Sequence, residues 1–284
     1  MPQLSLLQNS VAVITGGAAG IGLAAAMQFA RLGLKVCIAD INKDSLSSAA
    51  ARLSKAAPGG AASVMAVAAD VSRLAEVQQL ETAVRERFGG TDVLMNNAGI
   101  QPGSGLFGPR TNWEKVLSVN LWGVINCTQV FAPGMIERGR PGLIINTGSK
   151  QGITIPPGDP AYNISKAGVK AFTEALQHEL RNTAGSHLSA HLLIPGFVFT
   201  GLTGKGRTEK PSGAWTPEQT IDFMMKRLSA GDFYILCPDN DVARPIDERR
   251  ILWAAGDIVE NRPALSRWHS DYAESFAKSL DMKD

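Results

Sequence analysis

Only three cysteines occur in 284 residues, Cys37, Cys127 and Cys237, far apart and without a Cys-x-x-Cys spacing. An odd, scattered set excludes a disulfide framework and a thiolate zinc site, so these thiols read as buried small apolar side chains. Histidine is scarce as well. His178, His187, His191 and His269 show no ligand spacing, and no metal is implied. Charge of one sign is lacking: 28 basic residues face 26 acidic ones, aromatics make up 6%, and no basic stripe interleaves with them. Nucleic acid is therefore not an expected partner. Long apolar runs are missing too, because the longest, Leu121 to Ile136, contains Asn126, Gln129 and Pro133. No membrane partner is expected. The first ten residues have neither a basic start nor a sustained apolar run, so they do not read as a signal peptide and a cytoplasmic location is expected. On that basis the acceptor pattern Asn163-Ile164-Ser165 reads as coincidental.

What is present is enough apolar matter, 44% of the chain, for one large core, and no internal linker, so residues 1–284 read as a single domain. Short apolar runs alternate with longer amphipathic stretches. Val11 to Thr15, a helix from about Ile21 to Leu32, and Lys35 to Asp40 make one βαβ unit. The rhythm continues through a strand at Ser63 to Val67, a helix at Leu74 to Phe88, a strand at Asp92 to Met95 and a helical region from Trp113 to Ile136. Strands at Leu143 to Thr147, Leu188 to Ile194 and Phe233 to Leu236 complete it. Continuous apolar strands suit burial on both faces, so the fold class is α/β: a doubly wound, Rossmann-like parallel sheet of about seven strands with helices on both sides. Residues 197–217, rich in Gly, Thr and Lys, read as a mobile substrate loop.

Directly after the first strand, Thr15-Gly-Gly-Ala-Ala-Gly-Ile-Gly22 forms a turn in which Gly16, Gly20 and Gly22, with Ile21, let the backbone approach a pyrophosphate at a helix N-terminus. Asp40 closes the second strand about 20 residues further on, where a carboxylate accepts hydrogen bonds from a ribose diol and repels a 2′-phosphate. Ile41 follows it and the glycine turn holds no Arg or Lys, so the cofactor is inferred to be NAD rather than NADP. An ordinary turn or cap role for Asp40 before Asn42 is the plainer alternative. Asp70 ends the third strand, where it can reach an adenine amine with Val71 against the ring, and Asn96-Asn97-Ala-Gly99 ends the fourth with small residues beside the cofactor.

Tyr162 and Lys166 stand four residues apart and share one helix face, with Ser149 upstream as a third polar partner. A phenol titrates near 10, and an ammonium beside it favours the phenolate, so the trio suits general acid and base work in hydride chemistry.

These motifs together resemble the short-chain dehydrogenase/reductase family over roughly Val11 to Thr200. They are Gly16-x3-Gly20-x-Gly22, Asn96-Asn-Ala-Gly99, Asn120 in Ser118-Val-Asn120, Ser149 lying 13 positions before Tyr162-x3-Lys166, and Pro195-Gly196. The resemblance implies a nicotinamide cofactor, a secondary alcohol or ketone substrate, and a homodimer or homotetramer. It assigns Tyr162 as proton donor or acceptor, Ser149 to the substrate oxygen, Lys166 to the nicotinamide ribose and Asn120 to a proton-relay water network. Pro195, Val198 and Thr200 belong beside the cofactor on the same ground.

After Pro195 the chain departs from the family pattern, because Cys237-Pro-Asp-Asn-Asp241 replaces the usual Asp-Gly-Gly ending. Residues 246–284 read as a helical extension of two short amphipathic helices joined near Pro263, packed on the parent domain or on another subunit. The substrate wall is expected from Gln151, Gly152, Ile153, residues 155–158, Phe197, Leu202, Trp215 and Met224, with Met224 and Met225 equally consistent with core packing. Lys150 reads as a solvated lysine rather than an anchor for an anionic substrate. A methyltransferase on a similar scaffold leaves Tyr162, Lys166 and Ser149 without work. The alternative from another class is a protein that binds NAD as a sensor or scaffold without turnover, and intact catalytic residues speak against it.

Overall fold

The computed structural model describes residues 10–204 and 206–281. The strands are β1 (Val11–Thr15), β2 (Lys35–Asp40), β3 (Val64–Ala68), β4 (Val93–Asn96), β5 (Gly142–Thr147), β6 (Leu188–Ile194) and β7 (Tyr234–Leu236). All pair in parallel, in the spatial order β3-β2-β1-β4-β5-β6-β7. The helices are α1 (Gly20–Arg31), α2 (Lys43–Ala56), α3 (Leu74–Phe88), α4 (Arg110–Leu117), α5 (Gly123–Glu137), α6 (Gln151–Thr154), α7 (Pro160–Asn182), α8 (Gly201–Gly204), α9 (Pro217–Ser229), α10 (Arg244–Val259) and α11 (Ala273–Asp281).

The two-residue period of a strand sends alternate side chains to opposite faces, and the core divides accordingly. Ala12, Ile14, Val36 and Ile38 face α1, α2 and α9, packing with Phe29, Leu46, Leu53 and Met224. Val11, Val13, Cys37 and Ala39 face the other way, onto Val77 and Leu80 of α3 and Phe131 and Met135 of α5. β1 is buried at every position, whereas the edge strand β3 is buried only at Val64 and then alternates between half-buried and exposed. The three cysteines are free and buried, and burial pushes each thiol up to about 12. Among the described residues no helix is long and apolar enough to cross a membrane. Asn163 is 2% exposed and donates from its amide to the Pro156 carbonyl, so its acceptor pattern is closed to a glycan by packing.

Two expectations need correcting. Met224 is fully buried in the core cluster beneath α9, with Met225 beside it, and Trp215 packs edge-on against Phe223 with ring centroids 5.8 Å apart. Neither Met224 nor Trp215 reaches a substrate wall, because α9 folds down onto α1 instead of standing over the cavity. Residues 197–217 are also not featureless. Val198 bridges Trp215 in parallel, the Phe199 amide donates to the Trp215 carbonyl at 2.9 Å, and α8 lies between.

The C-terminal extension is mostly packed on itself. Trp253 of α10 meets Phe276 of α11 edge-on at 5.3 Å, donates to Ser266 Oγ at 2.8 Å and carries the Arg262 guanidinium over its ring at 4.2 Å. Ile251 packs against the cluster formed by α5, α7, β6 and β7, while Leu252, Ile258 and Val259 are exposed.

Candidate active site

Strand order reverses between β1 and β4, and a crevice opens outside their carboxyl ends, as it does generally at such switch points. A cavity of about 610 Å³ lies there. The glycine turn contributes Gly16, Gly20 and Ile21 to its wall, β2 contributes Asp40, and the end of β4 contributes Asn97 and Gly99. Ser149, Tyr162, Lys166, Pro195, Val198 and Thr200 line the opposite side. The fold thus brings together residues spread over nearly 190 positions.

Each wall has a local cause. Gly16 and Gly20 hold φ of 61° and 52°, the left-handed region that disfavours a Cβ, so the chain turns sharply into α1. α1 has Ala19 at its N-cap, no side chain bonded there and no acidic residue in its first turn. Its first N–H groups therefore have no side-chain cap, and Gly20 and Ile21 at this helix start line the cavity, which suits a pyrophosphate. A Cβ at Gly22 would lie 2.6 Å from Asn97 Nδ2 and run into the Gly16 carbonyl, so Gly22 permits the turn to pack on β4 and does not itself line the cavity. Asn97 is the suture between the two strands, since its Nδ2 donates to the carbonyls of Thr15 and Gly16 at 3.2 Å and its backbone amide donates to Thr15 Oγ1 at 3.0 Å. Asp40 takes the expected turn role, its carboxylate accepting from the amides of Ala18 and Asn42, and it lines the cavity.

Four further expected residues stand outside the wall. Ile41 is 70% exposed beyond Asp40. Asp70 lies two residues past β3 and turns the chain there, accepting from the Ser72 amide at 2.9 Å and the Ser72 hydroxyl at 2.6 Å. Val71 is buried against Gly123 at the start of α5. Asn120 is fully buried in a π-helical turn, Ser118–Trp122, between α4 and α5. Its Oδ1 accepts from the Ile100 amide at 2.8 Å and its Nδ2 donates to the Ile100 carbonyl at 2.9 Å and to Ser165 Oγ at 3.3 Å. A π turn widens the helix by one residue and is often found at functional sites. Here it aims an amide at the backbone just after Gly99.

Ser149 hydrogen-bonds Tyr162, which is 8% exposed. Burial pushes the phenol up to about 12, outweighing the Ser149 bond that lowers it, and Asp159 raises it further. The expected depression by a neighbouring ammonium is therefore corrected: in the free protein Tyr162 is a neutral proton donor. Lys166 is 4% exposed, and burial lowers its ammonium to about 8. Its Nζ donates to the Thr147 carbonyl at 2.7 Å, at the carboxyl end of β5. Spacing alone did not point to Thr147, because a backbone acceptor leaves no signature in side-chain type. A buried network missed in the same way ties this strand end in place, with Asn96 Nδ2 donating to Asn146 Oδ1 at 2.8 Å and Asn146 Nδ2 to Thr173 Oγ1 at 3.0 Å.

Residues 10–211 match the family model described as short chain dehydrogenase. The chain belongs to the short-chain dehydrogenase/reductase family. It is 35% identical over 228 residues to a 3-oxoacyl-acyl-carrier-protein reductase of Thermotoga maritima, covering 80% of this chain and 85% of that one. It is 31% identical over 268 residues to a 1-deoxy-11-beta-hydroxypentalenate dehydrogenase of Streptomyces exfoliatus, covering 92% and 95%. Among solved structures, a short-chain dehydrogenase/reductase from Burkholderia phymatum in complex with NAD superposes with a TM-score of 0.80 at 32% identity, covering 90% of this chain and 96% of that one. An alcohol dehydrogenase from Thermococcus sibiricus complexed with 5-hydroxy-NADP gives 0.68 at 28% identity, covering 77% and 90%. As a short-chain dehydrogenase/reductase, the protein is an oxidoreductase with a Rossmann-like fold.

Proposed function

We propose that this short-chain dehydrogenase/reductase transfers hydride between NAD and a secondary alcohol or its ketone, with Tyr162 as the general acid and base. The observation that carries the reading is the joint placement of the Ser149–Tyr162 hydrogen bond and the anchored Lys166 on one wall of a cavity whose other wall is an uncapped helix N-terminus. A bound nicotinamide dinucleotide supplies or takes up the hydride. The glycine turn and the first amides of α1 hold its pyrophosphate, and Asp40 accepts from the adenosine ribose diol. That carboxylate, with Ala18 and Asn42 already bonded to it, disfavours a 2′-phosphate and supports NAD.

In reduction, negative charge grows on the carbonyl oxygen, and the Tyr162 and Ser149 hydroxyls donate to it, Tyr162 giving up its proton. In oxidation the same phenolic oxygen receives the alcohol proton. The buried Lys166 ammonium, fixed on Thr147, favours the anionic form of Tyr162 when the proton leaves. Phe197 and Leu202 line the cavity and support a substrate with an apolar body. The relatives include a ketoacyl reductase and a dehydrogenase, and the oligomer we expect is a homodimer or homotetramer.

NAD reduction followed over a panel of secondary alcohols tests the proposal. Tyr162→Phe is expected to lower kcat/KM by about 10²- to 10⁴-fold with little change in Tm. Turnover that survives this substitution unchanged refutes the role of Tyr162. NAD binding with no turnover on the panel favours the sensor or scaffold reading.

A further inference from the structure

Lys150 follows Ser149, and the fold makes it neither solvated nor free for an anionic substrate. Its Nζ lies 2.5 Å from Asp247 Oδ2 and 3.3 Å from Asp239 Oδ2, and the three side chains are 17%, 5% and 6% exposed. Arg250 brings a second cation to 4.0 Å from Asp247 Oδ1, and the Arg267 guanidinium acts on the same carboxylate, so Asp247 is surrounded by cations.

Lys150, Asp239, Asp247 and Arg250 come from three separate parts of the chain: the turn after β5, the loop after β7 and the first two turns of α10. A fourth segment joins through the backbone, because the Phe197 amide donates to Asp239 Oδ2 at 3.1 Å. The chain passes so close that a Cβ at Gly196 would lie 2.5 Å from that oxygen and 2.9 Å from Lys150 Nζ. Asp239 Oδ1 accepts from the amides of Asp241 and Val242 at 3.2 and 2.8 Å, which turns the loop toward α10. The Lys150 carbonyl in turn accepts from the amides of Ile153 and Thr154, both at 3.1 Å, and so starts α6.

We propose that Lys150, Asp239 and Asp247 form a clamp that positions two walls of the active-site cavity, the Ser149 turn and the Pro195–Phe197 segment, and that α10 is through Asp247 a positioning element of catalysis. The proposal rests on the reading above, in which Ser149 and Tyr162 act on the substrate oxygen. Buried ion pairs are a poor device for stability alone, since apolar replacements often hold a fold equally well. What they add is one defined arrangement, enforced by directional contacts. Here that arrangement joins residue 149, which hydrogen-bonds Tyr162, to residues 195–197 across the cavity. It also explains the departure of this chain from the family ending, because Asp239 and Asp247 both lie in the divergent part.

The test compares Lys150→Met, Asp247→Asn and Lys150→Arg with the parent in steady-state kinetics, NAD binding and site-resolved amide exchange. For Lys150→Met, kcat/KM is expected to fall by about 10- to 100-fold, mainly through kcat, because displacement by about 1 Å costs up to 10²-fold. Asp247→Asn keeps the shape and should lose about tenfold by the same reasoning, NAD affinity should fall by less than kcat/KM does, and Lys150→Arg should recover most of the rate. Amides of Phe197, Ile153 and Thr154 should exchange faster in Lys150→Met and Asp247→Asn. Unchanged exchange at these amides in a folded variant overturns the clamp, as does a kcat/KM within about twofold of the parent. Should Lys150→Met fail to fold, the isosteric Asp247→Asn decides on both measurements. If the parent turns over no alcohol or ketone, the functional reading fails, and amide exchange still decides whether the clamp exists.

Discussion

The Lys166 ammonium donates to the carbonyl oxygen of Thr147 at 2.7 Å and lies 5.8 Å from the centroid of the Tyr162 ring. The cation is thus fixed by the end of β5 beside the phenol, and both groups are buried. Burial disfavours charge on each, raising the one and lowering the other. At neutral pH the phenol is therefore uncharged while Lys166, titrating near 8, remains mostly an ammonium.

This arrangement predicts an unusual alkaline profile of stability. An unfolded chain keeps the Lys166 proton up to about 10.5, whereas the folded chain releases it near 8. Between these values the unfolded state binds more protons, so stability contributed by this group rises with pH, by up to about 1.4 kcal/mol per pH unit. Tyr162 acts oppositely from about 10 to 12, where the folded state retains the proton and stability falls. Denaturant unfolding between pH 8 and 10 should show a slope against pH that is more positive in the parent than in Lys166→Met, the fall contributed above about 9 by the three buried thiols being common to both. An identical slope in both proteins refutes the assigned shift.

Cofactor choice is predicted to turn on Asp40. Asp40→Asn preserves an acceptor for the Ala18 amide, 3.3 Å away, while removing the charge. The ratio of kcat/KM for NADP to that for NAD should rise about tenfold or more, equivalent to at least about 1.4 kcal/mol of discrimination. A parent enzyme that already prefers NADP defeats the charge argument.

Asn120 is predicted to matter first as a structural pin. Replacement by Ala strips the part-buried Ile100 amide and carbonyl of their partners, at up to about 1–3 kcal/mol for each group left unsatisfied. Denaturant midpoints measure that loss, and kcat should drop with it because Ile100 follows the cavity-lining Gly99. A variant with parental stability contradicts the pinning role.

Much of the architecture was legible because it depends on patterns that local chemistry dictates. β1 reads as an unbroken apolar run and is buried at each position, since a central parallel strand is covered on both faces. The glycine turn, Asp40 and the Tyr162-Lys166 pair stand out by spacing, and the cavity gathers them, Gly22 excepted. Substrate-side expectations fared less well at Met224 and Trp215, whose residue types suit a pocket and a core equally. Packing of α9 against α1 put them inside the core.

Residue type and interval therefore specified which side chains meet at the cavity, because turn geometry and helix periodicity act over a few positions. Charge states and long-range partners were not specified in that way. The neutral phenol of Tyr162 depends on how deeply β5 and α7 enclose it, the π turn at Asn120 on how α4 and α5 meet, and the pairing of Lys150 with Asp239 and Asp247 on contacts spanning about 90 residues or more. Desolvation and ion pairing are set by whatever surrounds a group in space, and those surroundings exist only once distant segments have packed.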